Sequence, residues 1–324
     1  MRRIFTCLLF VIIHSSLFAQ TATPVAKNGA LHIANGRIVN KNGDAPQLRG
    51  ISFSWSIWGG KKYYNTDVVD WLVTDFKANI IRLAMAVQPD HGYLQEPDTQ
   101  KNMIVKLTDQ AIKDGIYVLI DWHDHHSNEH TEQSKAFFSE MAKRYAGKPN
   151  VIYEVWNEPE RIGWDTVKNY AIAVITEIRK YDPNNFIVVG SPHWDQDVDV
   201  AAADPITGFK NIAYSFHFYA SDVHHQDQLR AKADLAIKKG LPLMVTEWGV
   251  GEASGDGEFS LEKTNKWVDW MEANKLSSAN WNITDKKETT ALLQPGAPAN
   301  GGWTADQLTP AGAYIRDLLR KLNK

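Results

Sequence analysis

Eight short β-branched runs, each near-continuously apolar and most followed by a segment of helical period, predict an α/β fold: a (β/α)8 TIM barrel in a single domain. The runs are Leu48 to Ser52, Asn79 to Met85, Tyr117 to Trp122, Val151 to Trp156, Phe186 to Gly190, Ile212 to Phe218, Leu243 to Thr246 and Ser278 to Ile283. A strand covered on both faces has to be apolar throughout, as these are. Helical periodicity marks Asp67 to Lys77, Thr99 to Asp114, Glu132 to Tyr145, Trp164 to Lys180, Gln226 to Lys239, Leu261 to Asn274 and Ala311 to Leu322. Several of these stop at a glycine able to take the left-handed cap, as at Gly115, Gly147 and Gly240. Ahead of the first run, Leu31 to Gln47 carries Asn35-Gly36 and Asn42-Gly43 between short apolar stretches, which predicts an N-terminal β-hairpin closing the bottom of the barrel. No linker interrupts residues 21–324, and no repeat beyond the βα unit is visible.

Residues 1–20 have a different character. Arg2 and Arg3 precede an apolar run from Ile4 to Ile13 that ends near Leu17-Phe18-Ala19, the pattern of a signal peptide. The run falls short of the roughly 20 residues that span a bilayer. The mature chain is therefore expected outside the cytoplasm, extracellular or periplasmic, and monomeric. Cys7, the only cysteine, lies inside that leader, so no disulfide is expected and the fold must stand on its core. About 300 remaining residues suffice for a large core. The net charge of -3 arises from interleaved acidic and basic residues, which leaves no basic stripe for nucleic acid and nothing to favour a membrane. Twelve tryptophans point either to a stacking surface for a ligand or to a Trp-rich core.

Barrels of this kind place their sites at the C-terminal ends of the strands. Those ends carry Arg82, Trp122-His123, Asn157-Glu158-Pro159, His217 and Tyr219, Glu247-Trp248-Gly249, and Trp281. Taken singly, each has a plain structural explanation, a salt bridge for the arginine or a satisfied buried ring for a histidine. Their agreement in position is the informative feature. Two carboxylates dominate: Glu158 after the fourth strand and Glu247 after the seventh, aimed across the mouth from opposed strands. Such a pair suits hydrolysis of a glycosidic bond, which needs one carboxyl protonated to assist departure and one ionised to attack. A separation of about 5 to 5.5 Å gives retention of configuration. Arg82 beside one carboxylate would favour its charged form, while burial would keep the other neutral. Since Asn157 and Glu158 are neighbours, both can face one pocket only at a bulge or a strand end. His217 and Tyr219, two apart, can share a face, as can Asp121 and His123.

The ordered set Gly50 to Gly60, Ile81-Arg82-Leu83, Ile120-Asp121-Trp122-His123, Val151 to Pro159, Phe216 to Ala220, Thr246 to Gly249 and Trp281 to Gly296 resembles glycoside hydrolase family 5, in its subgroup of bacterial endo-β-1,4-glucanases. The resemblance covers nearly all of the mature chain. It implies a β-1,4-glucan substrate, no cofactor, Glu158 as general acid/base and Glu247 as the nucleophile that forms a covalent glycosyl-enzyme. It also implies Arg82 and Tyr219 beside the nucleophile, Asn157 on the 2-hydroxyl of the attacked sugar, and His123 and His217 around the catalytic centre. Trp281 would form the floor under that sugar, with Trp58, Lys286 and Glu288 on the next one toward the non-reducing end. One departure stands out: many relatives have histidine and glycine where this chain has Ser54 and Trp55.

Other readings of the residues carry different expectations. His123, His125, His126 and His130 crowd with Asp121, Asp124 and Glu129, a composition that can bind zinc or copper. No His-Glu-x-x-His pattern spaces them, and the family resemblance explains His123 without metal, so none is expected. A sugar-binding protein without catalysis would need only the aromatic surface, but would not need both glutamates with all their supports. Mannan, xyloglucan or mixed-linkage glucan are the alternative substrates. Without an appended carbohydrate-binding module in this sequence, soluble or amorphous glucan is expected to be a better substrate than crystalline cellulose.

Overall fold

The computed structural model describes residues 22–323, so the expected signal peptide lies outside the described residues. Strands β1 (His32–Ala34) and β2 (Arg37–Val39) pair as an antiparallel hairpin. Then follow β3 (Arg49–Phe53), β4 (Ile80–Ala86), β5 (Tyr117–His123), β6 (Val151–Glu154), β7 (Phe186–Val189), β8 (Ile212–Tyr219), β9 (Leu243–Gly249) and β10 (Ser278–Ile283). These eight are parallel and close into a barrel, β10 pairing with both β9 and β3. Helices Thr66–Thr74, Pro97–Asp114, Thr131–Tyr145, Trp164–Arg179, Asp227–Lys238, Leu261–Asn274 and Pro310–Leu322 return the chain to the bottom, as the periodicity predicts. The unit after β7 departs from the pattern: it has only the short helices Pro192–Asp195 and Val198–Ala201, too brief to leave a periodic signal.

Local chemistry sets the helix boundaries. Asn65, Ser260 and Thr309 each accept a backbone N–H of their own first turn, and Pro310 occupies the position where a missing N–H costs nothing. Gly115 ends its helix at φ 71°, in the left-handed cap.

Within the apolar strands a two-residue alternation divides the core. Ile81, Leu83, Val118, Ile120, Tyr153, Ile187, Tyr214 and Phe216 belong to the large cluster between barrel and helices. Their neighbours Ile80, Leu119, Ile152, Val188, Ala213 and Met244 fill the lower barrel, where Leu31 and Ile38 from the hairpin region pack against them. The hairpin thus closes the bottom, as expected, with Asn35 (φ 52°) and Gly36 (φ 71°) forming its tight turn. It is shorter than the sequence suggests. Asn42-Gly43 joins no strands: the Asn40 side chain accepts from Asn42 N and Asp44 N, closing a local turn instead.

Following the inward positions upward, Ile80 gives way to Arg82, Leu119 to Asp121, Ile152 to Glu154 and Ala213 to Ser215, all fully buried. The barrel interior is oil below and charge above.

Candidate active site

Arg82 stands at the centre of that charged layer. Its Nε donates to Glu154 Oε2 at 2.7 Å, Nη1 to Glu247 Oε2 at 2.7 Å and Nη2 to Asn157 Oδ1 at 2.7 Å, with Asp121 Oδ2 2.9 Å from Nη2. Burial opposes the guanidinium charge, but Asp121, Glu154 and Glu247 outweigh it and hold the pKa well above its ordinary value. The fork therefore stays charged and every arm is in use.

Parity counted from Met244 would turn Glu247 outward, because Thr246 already takes the inward position. Both neighbouring ladders skip a residue here: Ser215 pairs with Met244 but His217 with Glu247, and Ser278 with Val245 but Asn280 with Trp248. The extra residue in β9 is a bulge, and it lets Thr246 and Glu247 both reach the site. Glu247 Oε1 accepts from Tyr219 Oη at 2.6 Å, so each carboxylate oxygen has a donor.

Glu158 is placed by the other device expected for it. β6 stops at Glu154, and the chain beyond it bonds irregularly, Val155 N to Val188 O and Asn157 N to Trp122 O. Glu158 then adopts φ 51°, a left-handed conformation that costs a non-glycine residue about 1–2 kcal/mol. Its Oε1 lies 2.9 Å from His217 Nδ1, and His217 Nε2 lies 2.8 Å from Thr246 Oγ1. Burial pushes the Glu158 carboxyl up to about 6, against the opposing influence of His125 and Arg82. Burial also pushes His217 down to about 4, leaving it neutral near pH 7. One oxygen of Glu158, one of Glu247 and a ring nitrogen of His217 all lie within 4.8 Å of one another. That trio has the composition of a metal site. With Arg82 and Tyr219 already donating to Glu247, its oxygens face donors rather than a vacant cation position.

Aromatic residues build the rest of the cleft, which encloses about 580 Å³. Trp281 and His123 stack at 5.5 Å and 5° between planes, and His123 Nδ1 lies 2.7 Å from Asp121 Oδ2. Trp58, Lys286 and Glu288 line the same cleft, with Trp58 67% exposed and Lys286 Nζ 2.6 Å from Glu288 Oε2. Trp55, the departure from the family pattern, packs its edge on His123 at 4.2 Å and lies over His125 at 6.0 Å, beside Trp58 at 5.6 Å. All eleven residues singled out in the sequence thus converge on one mouth. The other histidines of the His-rich segment do not gather at one point: His125 lines the cleft 3.8 Å from Glu160, whereas His130 bonds Asp124 and His126 bonds Gln88.

Sequence reasoning missed Glu154, Thr246 and Asp195. Strand parity from Ile152 would have found Glu154. Nothing local marks Asp195, which is fully buried and accepts from Glu158 N at 3.0 Å and Ser191 N at 2.5 Å.

Two carboxylates this close across the mouth of a parallel barrel, one clamped by a guanidinium and one raised by burial, define the barrel class of glycoside hydrolases. The chain belongs to glycosyl hydrolase family 5: the profile of that family, described as Cellulase, matches residues 39–287. It is 41% identical over 289 residues to Endoglucanase Z of Dickeya dadantii, covering 88% of this chain and 65% of that protein. Against Endoglucanase A of Evansella cellulosilytica it is 42% identical over 285 residues, covering 86% and 57%. The chain thus spans less than two thirds of the length of these two curated relatives. Among solved structures, one from Cytophaga hutchinsonii is similar at a TM-score of 0.90 and 46% identity, over 93% of this chain and 97% of that one. A variant of Thermobifida fusca endoglucanase Cel5A in complex with cellotetraose is similar at 0.86 and 32% identity, over 92% and 99%.

Proposed function

We propose that this protein is a retaining endo-β-1,4-glucanase in which Glu158 is the general acid/base and Glu247 the nucleophile. The observation that carries the reading is their proximity, with one oxygen of each inside a 4.8 Å trio with His217. That spacing suits direct attack and is shorter than the roughly 6.5–9.5 Å over which an inverting pair holds its water.

In the first step Glu158 gives its proton to the departing glycosidic oxygen while Glu247 attacks the anomeric carbon. Arg82 and Tyr219 hold the attacking carboxylate in one orientation, so little reorganisation accompanies the reaction. In the second step Glu158 takes a proton from water, which displaces Glu247 from the sugar. The Asn157 side chain accepts at Oδ1 from Arg82, and its buried Nδ2 finds no acceptor among the described residues. A sugar 2-hydroxyl would satisfy that amide, a contact that strengthens at the transition state. Trp281 supplies the floor beneath this sugar, His123 braces that ring, and Trp58, Lys286 and Glu288 meet the next sugar.

The names of the curated relatives and the cellotetraose bound in the Thermobifida fusca structure support a β-1,4-glucan substrate. The leader pattern in residues 1–20 supports export. Reducing-sugar release from carboxymethyl-cellulose, mannan and xylan, with the Glu247→Ala protein as blank, tests the reading. Release from carboxymethyl-cellulose above the other two is expected. Preference for mannan or xylan would move the substrate, and no release from any polymer would overturn the enzymatic reading.

A further inference from the structure

Glu158 holds a backbone conformation that is uncommon outside glycine, at a point where no strand ladder supports it. Such a conformation persists only where the surroundings over-determine it. The surroundings here are the segment after β7. Its residues His193, Trp194 and Asp195 are consecutively left-handed, at φ 61°, 56° and 58°. That turn is docked on the chain around the glutamate: His193 N donates to Glu160 O and Trp194 N to Pro159 O, both at 2.8 Å. Gly190 permits the approach, because a Cβ there would stand 2.6 Å from Trp156 O and 2.9 Å from the Pro159 ring.

At the end of the turn the Asp195 carboxylate faces inward, fully buried. One oxygen accepts from Ser191 N at 2.5 Å and the other from Glu158 N at 3.0 Å. The second oxygen also lies 3.6 Å from His217 Nδ1, the atom that meets the Glu158 carboxyl at 2.9 Å. Asp195 therefore touches Glu158 at its backbone and comes close to its side-chain partner, His217. It lines no part of that cleft.

We propose that Asp195 is a positioning residue for the acid/base, fixing the left-handed backbone of Glu158 so that its carboxyl meets His217 and the departing oxygen. The proposal rests on the acid/base reading of Glu158. A buried, doubly accepting carboxylate at this place is costly to maintain unless both N–H groups need it. Burial raises its pKa well above the ordinary range, with the two backbone donors opposing that rise.

Loss of such a residue should resemble partial loss of general-acid catalysis, which matters for a poor leaving group and little for a good one. The test compares kcat/KM on cellotetraose with kcat/KM on 2,4-dinitrophenyl cellobioside for Asp195→Asn, Asp195→Ala and Glu158→Ala, alongside their melting temperatures. The Asp195 variants are expected to lose roughly 10- to 100-fold on cellotetraose and under about threefold on the aryl cellobioside, with the larger part of the loss in kcat. Asp195→Asn, which preserves shape and one acceptor, should retain more activity than Asp195→Ala. Equal losses on both substrates, or none, would overturn the proposal. If Asp195→Ala fails to fold, the substrate ratio of Asp195→Asn decides alone. Glu158→Ala separates the two readings: a flat substrate ratio in that variant would sink the acid/base assignment itself, whereas a steep ratio there with a flat one in Asp195→Asn would sink only the role given to Asp195.

Discussion

His217 sits between the two halves of the site, with Nδ1 2.9 Å from Glu158 Oε1 and Nε2 2.8 Å from Thr246 Oγ1 in the bulge just before Glu247. A neutral imidazole has one donor and one acceptor. The ring thus links the Glu158 carboxyl to the Thr246 hydroxyl that flanks Glu247.

The division of labour between the glutamates is open to chemical rescue. Glu247→Ala should lose about 10⁴- to 10⁶-fold in kcat, and azide should restore turnover to give a glycosyl azide of inverted configuration. Glu158→Ala should lose about 10²- to 10⁴-fold on cello-oligosaccharides, and azide should give a product of retained configuration. Product stereochemistry by NMR checks both, and exchanged outcomes would reverse the assignment.

With Glu158 as the proposed acid, its raised pKa should set the pH response of catalysis. The acid must carry its proton, so kcat/KM on cello-oligosaccharides should fall as pH rises through about 6, the value to which burial pushes this carboxyl. A 2,4-dinitrophenyl glycoside, whose leaving group needs no proton, should show this limb weakly or not at all. A pH profile of both substrates is the measurement, and identical limbs would count against Glu158 as the titrating group.

Stability should respond to pH in the opposite sense to ordinary salt-bridged carboxylates. Burial pushes Asp121 up to about 8 despite Arg82, so between its unfolded pKa near 3.8 and 8 the folded chain binds a proton that the unfolded chain has released. Its contribution is complete at low pH and is lost as pH rises toward 8. Asp195 and Glu154, raised mainly by burial, act in the same direction. His217, pushed down to about 4, works against them only below its unfolded value of 6.5. Melting temperature should therefore decline from pH 6.5 to 8, and Asp121→Asn should flatten that slope. A rise over the same interval would contradict the buried-acid account.

Trp58 separates binding from folding. At 67% exposure it supports little of the core, so Trp58→Ala should change stability by less than about 0.5 kcal/mol. Loss of a stacking ring worth about 0.5–1.5 kcal/mol should raise KM for cello-oligosaccharides roughly 2- to 10-fold with kcat nearly unchanged. Steady-state kinetics and thermal melts together check this.

Much of this architecture is legible in the sequence. The eight apolar runs and the polar groups at their ends suffice to bring Arg82, His123, Asn157, Glu158, His217, Tyr219, Glu247 and Trp281 to one mouth. What they conceal is direction. A strand apolar on both faces hides its parity, so Glu154 passes for part of a core run until Ile152 is known to face inward. The bulge in β9 is written in no residue type: Val245, Thr246 and Glu247 read as ordinary strand, and only the ladders on either side reveal the extra residue. Asp195 is illegible for a different reason. Its partner lies 37 residues away, and a left-handed turn of His, Trp and Asp has no local signature. Asn42-Gly43 misleads because Asn-Gly marks a turn, whether or not strands flank it.

The fork of Arg82 has one more effect, on how the chain finds its alignment. Its arms reach residues of β5, β6 and β9 from β4. Sliding β4 by a single residue would exchange Arg82 with Ile81 or Leu83, driving a guanidinium into the greasy sleeve beneath the helices and stranding three acids around a methyl group. The offset barrel would be too costly to persist. Register and site are thus tied to one side chain: the misalignment that would scatter the acids around Arg82 would also destabilise the barrel.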